Sequence, residues 1–425
     1  MLLLTGGHLV DPFLQQESRC DILVDDEGRI AAMDESIHMP SARELSCRGC
    51  IITPGLIDTH AHFRDPGQTE KEDLHTGAQA AARGGYATVI TMANTTPPVD
   101  RVEMVEDLVR RAREEAVEIL PCATLTLGMK GEKRCDYQAL HRAGAVGFTD
   151  DGLYVKNAYV LHHALWHIKG LNTPVSLHEE DPDLVFSPGI NHGSAAAMAM
   201  NLGGAAQLAE ASAVARDVML ASQSGTTINI QHISAARTLE ALRMARRLNA
   251  PVFAEVTPHH LTMNEDDVLR YSSLAKMNPP LRTESDRRAL VAALREGLID
   301  IIATDHAPHT DEEKSRPFAQ APSGVIGLES AFAVCYTRLV REGELTLMQL
   351  LEKFTVGPAR LYGLTGRETA IGNRARLSVF CLDERWDPHI HFSRSSNCPF
   401  TDWPLWGETR YTVVGSRVAY ERKKA

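Results

Sequence analysis

Between about residue 53 and residue 310, short β-branched or apolar runs that end in polar residues alternate with longer stretches rich in Ala, Leu and Arg. Eight runs carry the strand signature: 55–63, 86–94, 118–128, 145–152, 173–180, 226–234, 251–260 and 300–309. Helical spacing fills the gaps at 70–84, 101–115, 136–143, 157–169, 195–224, 236–248 and 284–296. A strand followed each time by a helix implies a parallel sheet. Eight such units in about 250 residues match the size of a (β/α)8 barrel.

Both ends read differently. Residues 1–52 hold short strands with turns at Gly6-Gly7 and Asp25–Gly28, and residues 374–425 are again β-rich with little helix. Neither end is long enough for a good sandwich alone. The expectation is therefore an α/β protein in three stretches: 1–52 and 366–425 together forming one small β-sandwich domain, and 53–365 forming the barrel. Residues 310–327 form a charged loop punctuated by Pro and Gly after the eighth strand, where barrels carry function.

Composition changes this picture little. The 425 residues are 44% hydrophobic and 23% charged, the proportions of a soluble globular protein, and rule out a disordered chain. A net charge of −11 with no Lys/Arg-dense face argues against a nucleic-acid partner. No apolar run of about 18 residues suggests a membrane span. The first residues read as a strand entering a Gly turn, not a signal peptide, so a cytoplasmic location is expected. Cys47 and Cys50 form a lone CxxC without a second unit, and all eight cysteines read as plain reduced thiols.

Chemistry concentrates at the ends of the expected strands. His60 and His62 lie two apart in the first, so both point the same way. Asp151 ends the fourth, His178 the fifth, His232 the sixth and Asp305 the eighth. Six imidazoles and carboxylates then converge on one barrel mouth. Such donors suit Zn²⁺, with Mn²⁺, Fe²⁺ or Co²⁺ as other occupants, and six donors sharing a carboxylate are enough for two ions. His259 and His260 end the seventh strand as candidates for supporting positions. His162, His163 and His167 read as surface residues of a helix.

These residues sit in motifs that resemble the class I dihydroorotases of the amidohydrolase superfamily: DTHAHFRDPG (58–67), KEDLHTGAQAAARGGYATVITMANTTP (71–97), GFTDDG (147–152), HEE (178–180), QHIS (231–234), KMNPPLR (276–282), ATDHAPHT (303–310), SGVIGLESAF (323–332) and SRSSNCPF (393–400). The resemblance covers nearly the whole chain in order. It implies that His60 and His62 bind a first metal, that Asp151 bridges two, and that His178 and His232 bind the second. Asp305 is implied as both ligand and catalytic base. His62, Arg64, Asn94 and His309 are implied on the substrate side, with Asn278 and the Ser323-Gly324 backbone against the ring and its lid. Ala93, Ser323 and Arg376 stand where the family usually has Pro, Phe and Asp; none removes a catalytic side chain.

The implied reaction is reversible cyclisation of N-carbamoyl-L-aspartate to L-dihydroorotate plus water, the third step of pyrimidine biosynthesis. The implied nucleophile is a hydroxide held between two zinc ions, with Asp305 moving the proton. Relatives that bridge their metals with a carboxylated Lys leave Lys156 as a rival to Asp151. Another cyclic amidohydrolase, acting on hydantoins or allantoin, is the rival activity, and a scaffold without catalysis the more distant one. Arg64 favours an anionic substrate. A homodimer and association with other enzymes of the pathway are the expected assemblies.

Overall fold

The structure is a computed structural model and describes residues 1–423. Eight parallel strands follow the chain: Leu56–Ala61, Tyr86–Thr91, Glu118–Pro121, Phe148–Thr149, Val175–Leu177, Ile228–Ile230, Val252–Val256 and Ile301–Ile302. The first three pair side by side, and so do the last five. Parallel bridges Ala123–Phe148 and Ala61–His306 join the two groups and close the barrel. Most residues of these strands are buried because helices cover the outer face and side chains fill the inside.

The strands are shorter than the sequence pattern suggests, since their polar C-terminal residues leave the ladder to form the mouth. The seventh stops at Val256. Thr257 caps a short helix, Pro258–Thr262, by accepting from the His260 N–H, and Pro258 sits in its first turn. His259 and His260 are thus on a helix, not a strand. The helix expected over 195–224 is two, Ala195–Ala199 and Gln207–Ser224, because Gly203-Gly204 interrupts it and Gly204 takes φ +72°.

Both chain ends build one eight-stranded sheet. Ile51–Pro54 lies between Leu2–Asp11 and Arg376–Arg385, antiparallel to the latter, and so joins the N-terminal strands to the C-terminal ones. The sheet packs as a small sandwich around Leu4, Ile22, Ile52, Leu377 and Val379. Here the reduced-thiol expectation is corrected: Cys50 is disulfide-bonded to Cys381, 331 residues away. Adjacent strands bring the two Cα atoms to 4.2 Å, a proximity that Cys spacing alone does not reveal. Cys47 and the other five cysteines are free and buried.

Helix Leu74–Arg83 docks the sheet on the barrel. The guanidinium of Arg83 meets both oxygens of Glu408 at 2.8 and 3.1 Å, with both side chains fully buried. Among the described residues, no helix is long and apolar enough to cross a membrane.

Candidate metal centre and substrate cavity

The six donors of the strand ends meet at the barrel mouth. His60 Nε2 lies 3.4 Å from Asp151 Oδ1 and 3.4 Å from Asp305 Oδ1. His62 Nε2 lies 3.4 Å from Asp151 Oδ2 and 3.0 Å from Asp305 Oδ1. On the other side of Asp151 Oδ1 stand His178 Nδ1 at 3.8 Å and His232 Nε2 at 3.6 Å, with 3.0 Å between the two imidazole nitrogens. Five of the six form two groups, His60–His62–Asp151 and Asp151–His178–His232, that share one carboxylate, and Asp305 stands beside the first. Three residues at this mouth, Arg64, His232 and Asp305, take left-handed φ of 56°, 34° and 47°. Such strain persists only where the surroundings enforce it.

The donor set suits metal ions. His60 Nε2 and Asp151 Oδ1 are buried, face each other and have no hydrogen-bond partner. Their counterparts are well held. His60 Nδ1 is 2.7 Å from Glu255 Oε1, and His62 Nδ1 is 2.8 Å from Asn94 Oδ1. An Nδ1–H donated there leaves each Nε2 lone pair aimed at the mouth, the usual way an imidazole ligand is oriented. Electrostatics agree. Burial pushes the Asp151 carboxyl up, but the His60 charge and the close imidazoles of His178 and His232 hold it well below the ordinary range. Burial likewise opposes charging His60, yet Asp151 and Asp305 raise it well above its ordinary value. Two buried carboxylates this close call for positive charge at the mouth, which divalent ions would supply.

The same mouth opens into a cavity of about 460 Å³. Arg64, Asn94, Asn278, His309, Ser323 and Gly324 all line it with the metal donors. A hollow of about 680 Å³ over helix Ala158–Ile168 is larger but, among the described residues, gathers no comparable donor cluster, which makes the mouth the candidate site. Arg64 Nε donates to Pro308 O at 3.3 Å. His309 contacts Ser323 O at 2.8 Å through Nε2, and the Ser323 hydroxyl donates to Asn278 Oδ1 at 3.1 Å. Burial, then the charges of Arg64 and Lys314, push His309 down to about 3, so it is a neutral imidazole. Asn94 also donates to Asp151 Oδ2 at 3.3 Å and so props two metal donors from one amide.

Other sequence candidates fall elsewhere. Lys156 is exposed and ion-paired with Asp183, away from the donors. His260 is tied to Thr257 Oγ1 at 2.8 Å and Pro279 O at 3.0 Å, and His163 and His167 are exposed. Glu255 escaped the sequence reading. A lone carboxylate in the apolar run PVFAEV was its one signal, because a buried Glu needs a partner. It accepts from His60, from Thr59 Oγ1 at 2.9 Å and from Asn229 Nδ2 at 2.9 Å.

A closed parallel barrel with imidazole and carboxylate donors clustered at its mouth defines a barrel amidohydrolase. Solved structures agree on the fold. An L-hydantoinase from Arthrobacter aurescens superposes with a TM-score of 0.88 at 22% identity, covering 100% of this chain and 96% of that one. A dihydropyrimidinase from Brevibacillus agri gives 0.85 at 18% identity over 99% and 95%. Sequence narrows the class. A dihydro-orotase-like family model matches residues 49–238. The dihydroorotase of Clostridium acetobutylicum is 44% identical over 100% of both chains, and that of Clostridioides difficile 42% identical over 99% of this chain and 100% of its own. The chain belongs to the dihydroorotase family.

Proposed function

We infer that the protein is a zinc-dependent dihydroorotase, interconverting N-carbamoyl-L-aspartate and L-dihydroorotate plus water in pyrimidine biosynthesis. The full-length kinship to dihydroorotases carries this reading. The arginine beside the donor cluster supports it, because a carboxylated substrate needs a fixed cation.

His60, His62, Asp151 and Asp305 would hold one zinc ion, and Asp151, His178 and His232 a second. When bound, such ions lower the pKa of a water toward about 7 and polarise the amide carbonyl. The protein side chains do the rest. Arg64 receives the substrate carboxylate in its guanidinium fork, and Asn278 with the Ser323-Gly324 backbone aligns the ring. Asn94 and Glu255 keep the His62 and His60 rings turned toward the mouth. Asp305 accepts the proton of the attacking water and returns it to the ring nitrogen as the amide opens. Cyclisation runs through the same groups in reverse. Division into 1–52, 53–365 and 366–425, a homodimer and a cytoplasmic location complete the reading.

Likeness to hydantoinases is one of fold, and it makes the neutral cyclic amide the proper comparison. Purified enzyme assayed on dihydroorotate and hydantoin side by side, with elemental analysis of the same preparation, is the test. Turnover of dihydroorotate with up to two zinc ions per chain is expected. Preferential hydrolysis of hydantoin overturns the substrate assignment, and active enzyme free of transition metal overturns the zinc.

A further inference from the structure

The loop after the eighth strand contains a strap whose backbone carbonyls are gathered onto buried nitrogen donors. It runs from the end of helix Asp311–Lys314 to Val325, which bridges back to His306. Lys276 Nζ donates to Phe318 O at 2.8 Å, Ala321 O at 2.7 Å and Ala319 O at 3.4 Å. Lys314 Nζ donates to Pro322 O and Gly324 O, both at 3.0 Å. His309 takes Ser323 O. Of the seven carbonyls from Phe318 to Gly324, these three side chains hold all but that of Gln320.

Lys276 grips the strap at both ends, because its own carbonyl accepts from the Gly324 N–H at 2.8 Å. Its stem is packed as well: a Cβ on Gly189 would fall 2.4 Å from Lys276 Cγ and 3.0 Å from the Ser323 hydroxyl. Neither lysine has a carboxylate within 4.0 Å among the described residues. Burial lowers the Lys276 amine. Burial and the neighbouring Lys276 lower that of Lys314 to about 7. Two buried amines satisfied by carbonyl dipoles alone fix a loop that has no regular structure of its own. With its carbonyls turned inward, the strap leaves the Ser323 N–H without a protein acceptor among the described residues, at the wall of the substrate cavity.

We propose that Lys276 and Lys314 are positioning residues for the reaction, holding the strap Phe318–Gly324 in the arc that offers the Ser323 backbone to the substrate ring. This rests on the dihydroorotase reading of the cavity. A wall that serves bound substrate and transition state alike acts on KM more than on kcat.

The test pairs steady-state kinetics on dihydroorotate with amide hydrogen exchange of residues 317–325, followed by mass spectrometry, in the metal-loaded enzyme. Lys276→Met is expected to speed exchange of that segment at least tenfold and to raise KM about tenfold. The kcat should stay within about threefold and the metal content at the wild-type value. Lys276→Arg, which keeps a donor, should recover part of both losses. Lys314→Met should shift both in the same direction, and it carries the test if Lys276→Met does not fold. Wild-type exchange in both Met variants overturns the proposal. So does a higher KM without faster exchange, which would make Lys276 a direct substrate contact. If the wild-type enzyme does not turn over dihydroorotate, the substrate reading fails. Exchange alone then decides whether the lysines hold the strap.

Discussion

Asp305 and Arg64 share one cavity, and the proposed mechanism gives them different atoms to act on, so their variants should separate in kinetics. Asp305→Asn removes the proposed proton carrier, 3.0 Å from His62, and should lower kcat about 10²–10⁴-fold at saturating substrate. Metal content measured in the same sample distinguishes this from a lost ligand. Arg64→Lys keeps the charge and loses the fork, so KM should rise roughly tenfold with a smaller change in kcat. Asp151→Asn should empty one metal position, because a neutral amide cannot offset charge between two cations. Lys156→Ala should leave metal and activity at wild-type values, since that side chain pairs with Asp183 in solvent; elemental analysis of both variants checks the contrast. Glu255→Ala frees the His60 ring and should weaken metal binding about 10–100-fold, read by dialysis against graded chelator. The six candidate donors were legible in the sequence because strand periodicity and strand ends place them. Glu255 was not, because its partner His60 is 195 residues away in sequence and meets it only across the closed barrel.

Helix Gln207–Ser224 shows how an element reaches into the site. Its buried Glu210 accepts from Ser234 N at 3.0 Å, Ala235 N at 3.1 Å and Thr238 Oγ1 at 2.5 Å, and so pins the turn that follows His232. Glu210→Ala leaves those buried donors unpaired. A loss of about 3 kcal/mol in denaturant unfolding is expected, with Glu210→Gln in between. The element boundaries show the limit of periodicity. Apolar spacing carried the expected helix from 195 to 224, whereas Gly203-Gly204 and the need to turn the backbone divide it. The seventh strand was read through His260, whereas the Thr257 cap and Pro258 start a helix there. Local capping chemistry decides such ends, and hydrophobic period does not register it.

At the scale of the molecule, the barrel and the sheet of both termini meet through the Arg83–Glu408 pair. Burial already pushes the Glu408 carboxyl up against the pull of Arg83. Arg83→Met would leave a buried, unpaired acid and should cost about 3–5 kcal/mol, measured by denaturant unfolding. The double variant Arg83→Met/Glu408→Met should regain much of that loss, because it removes the stranded charge as well.

Alternation of strand and helix over 53–310, the β-rich ends and the six donors at strand ends were determined by the sequence itself. Each depends on spacings of a few residues, which sterics and the hydrophobic period translate directly into direction and burial. Contacts between distant positions were decided only by the tertiary structure. Barrel closure sets Glu255 behind His60, pairing of Ile51–Pro54 with Arg376–Arg385 brings Cys50 to Cys381, and the packing of Lys276 and Lys314 turns the strap's carbonyls inward. None of these has a local signature, because each joins groups whose distance is fixed by how whole elements pack.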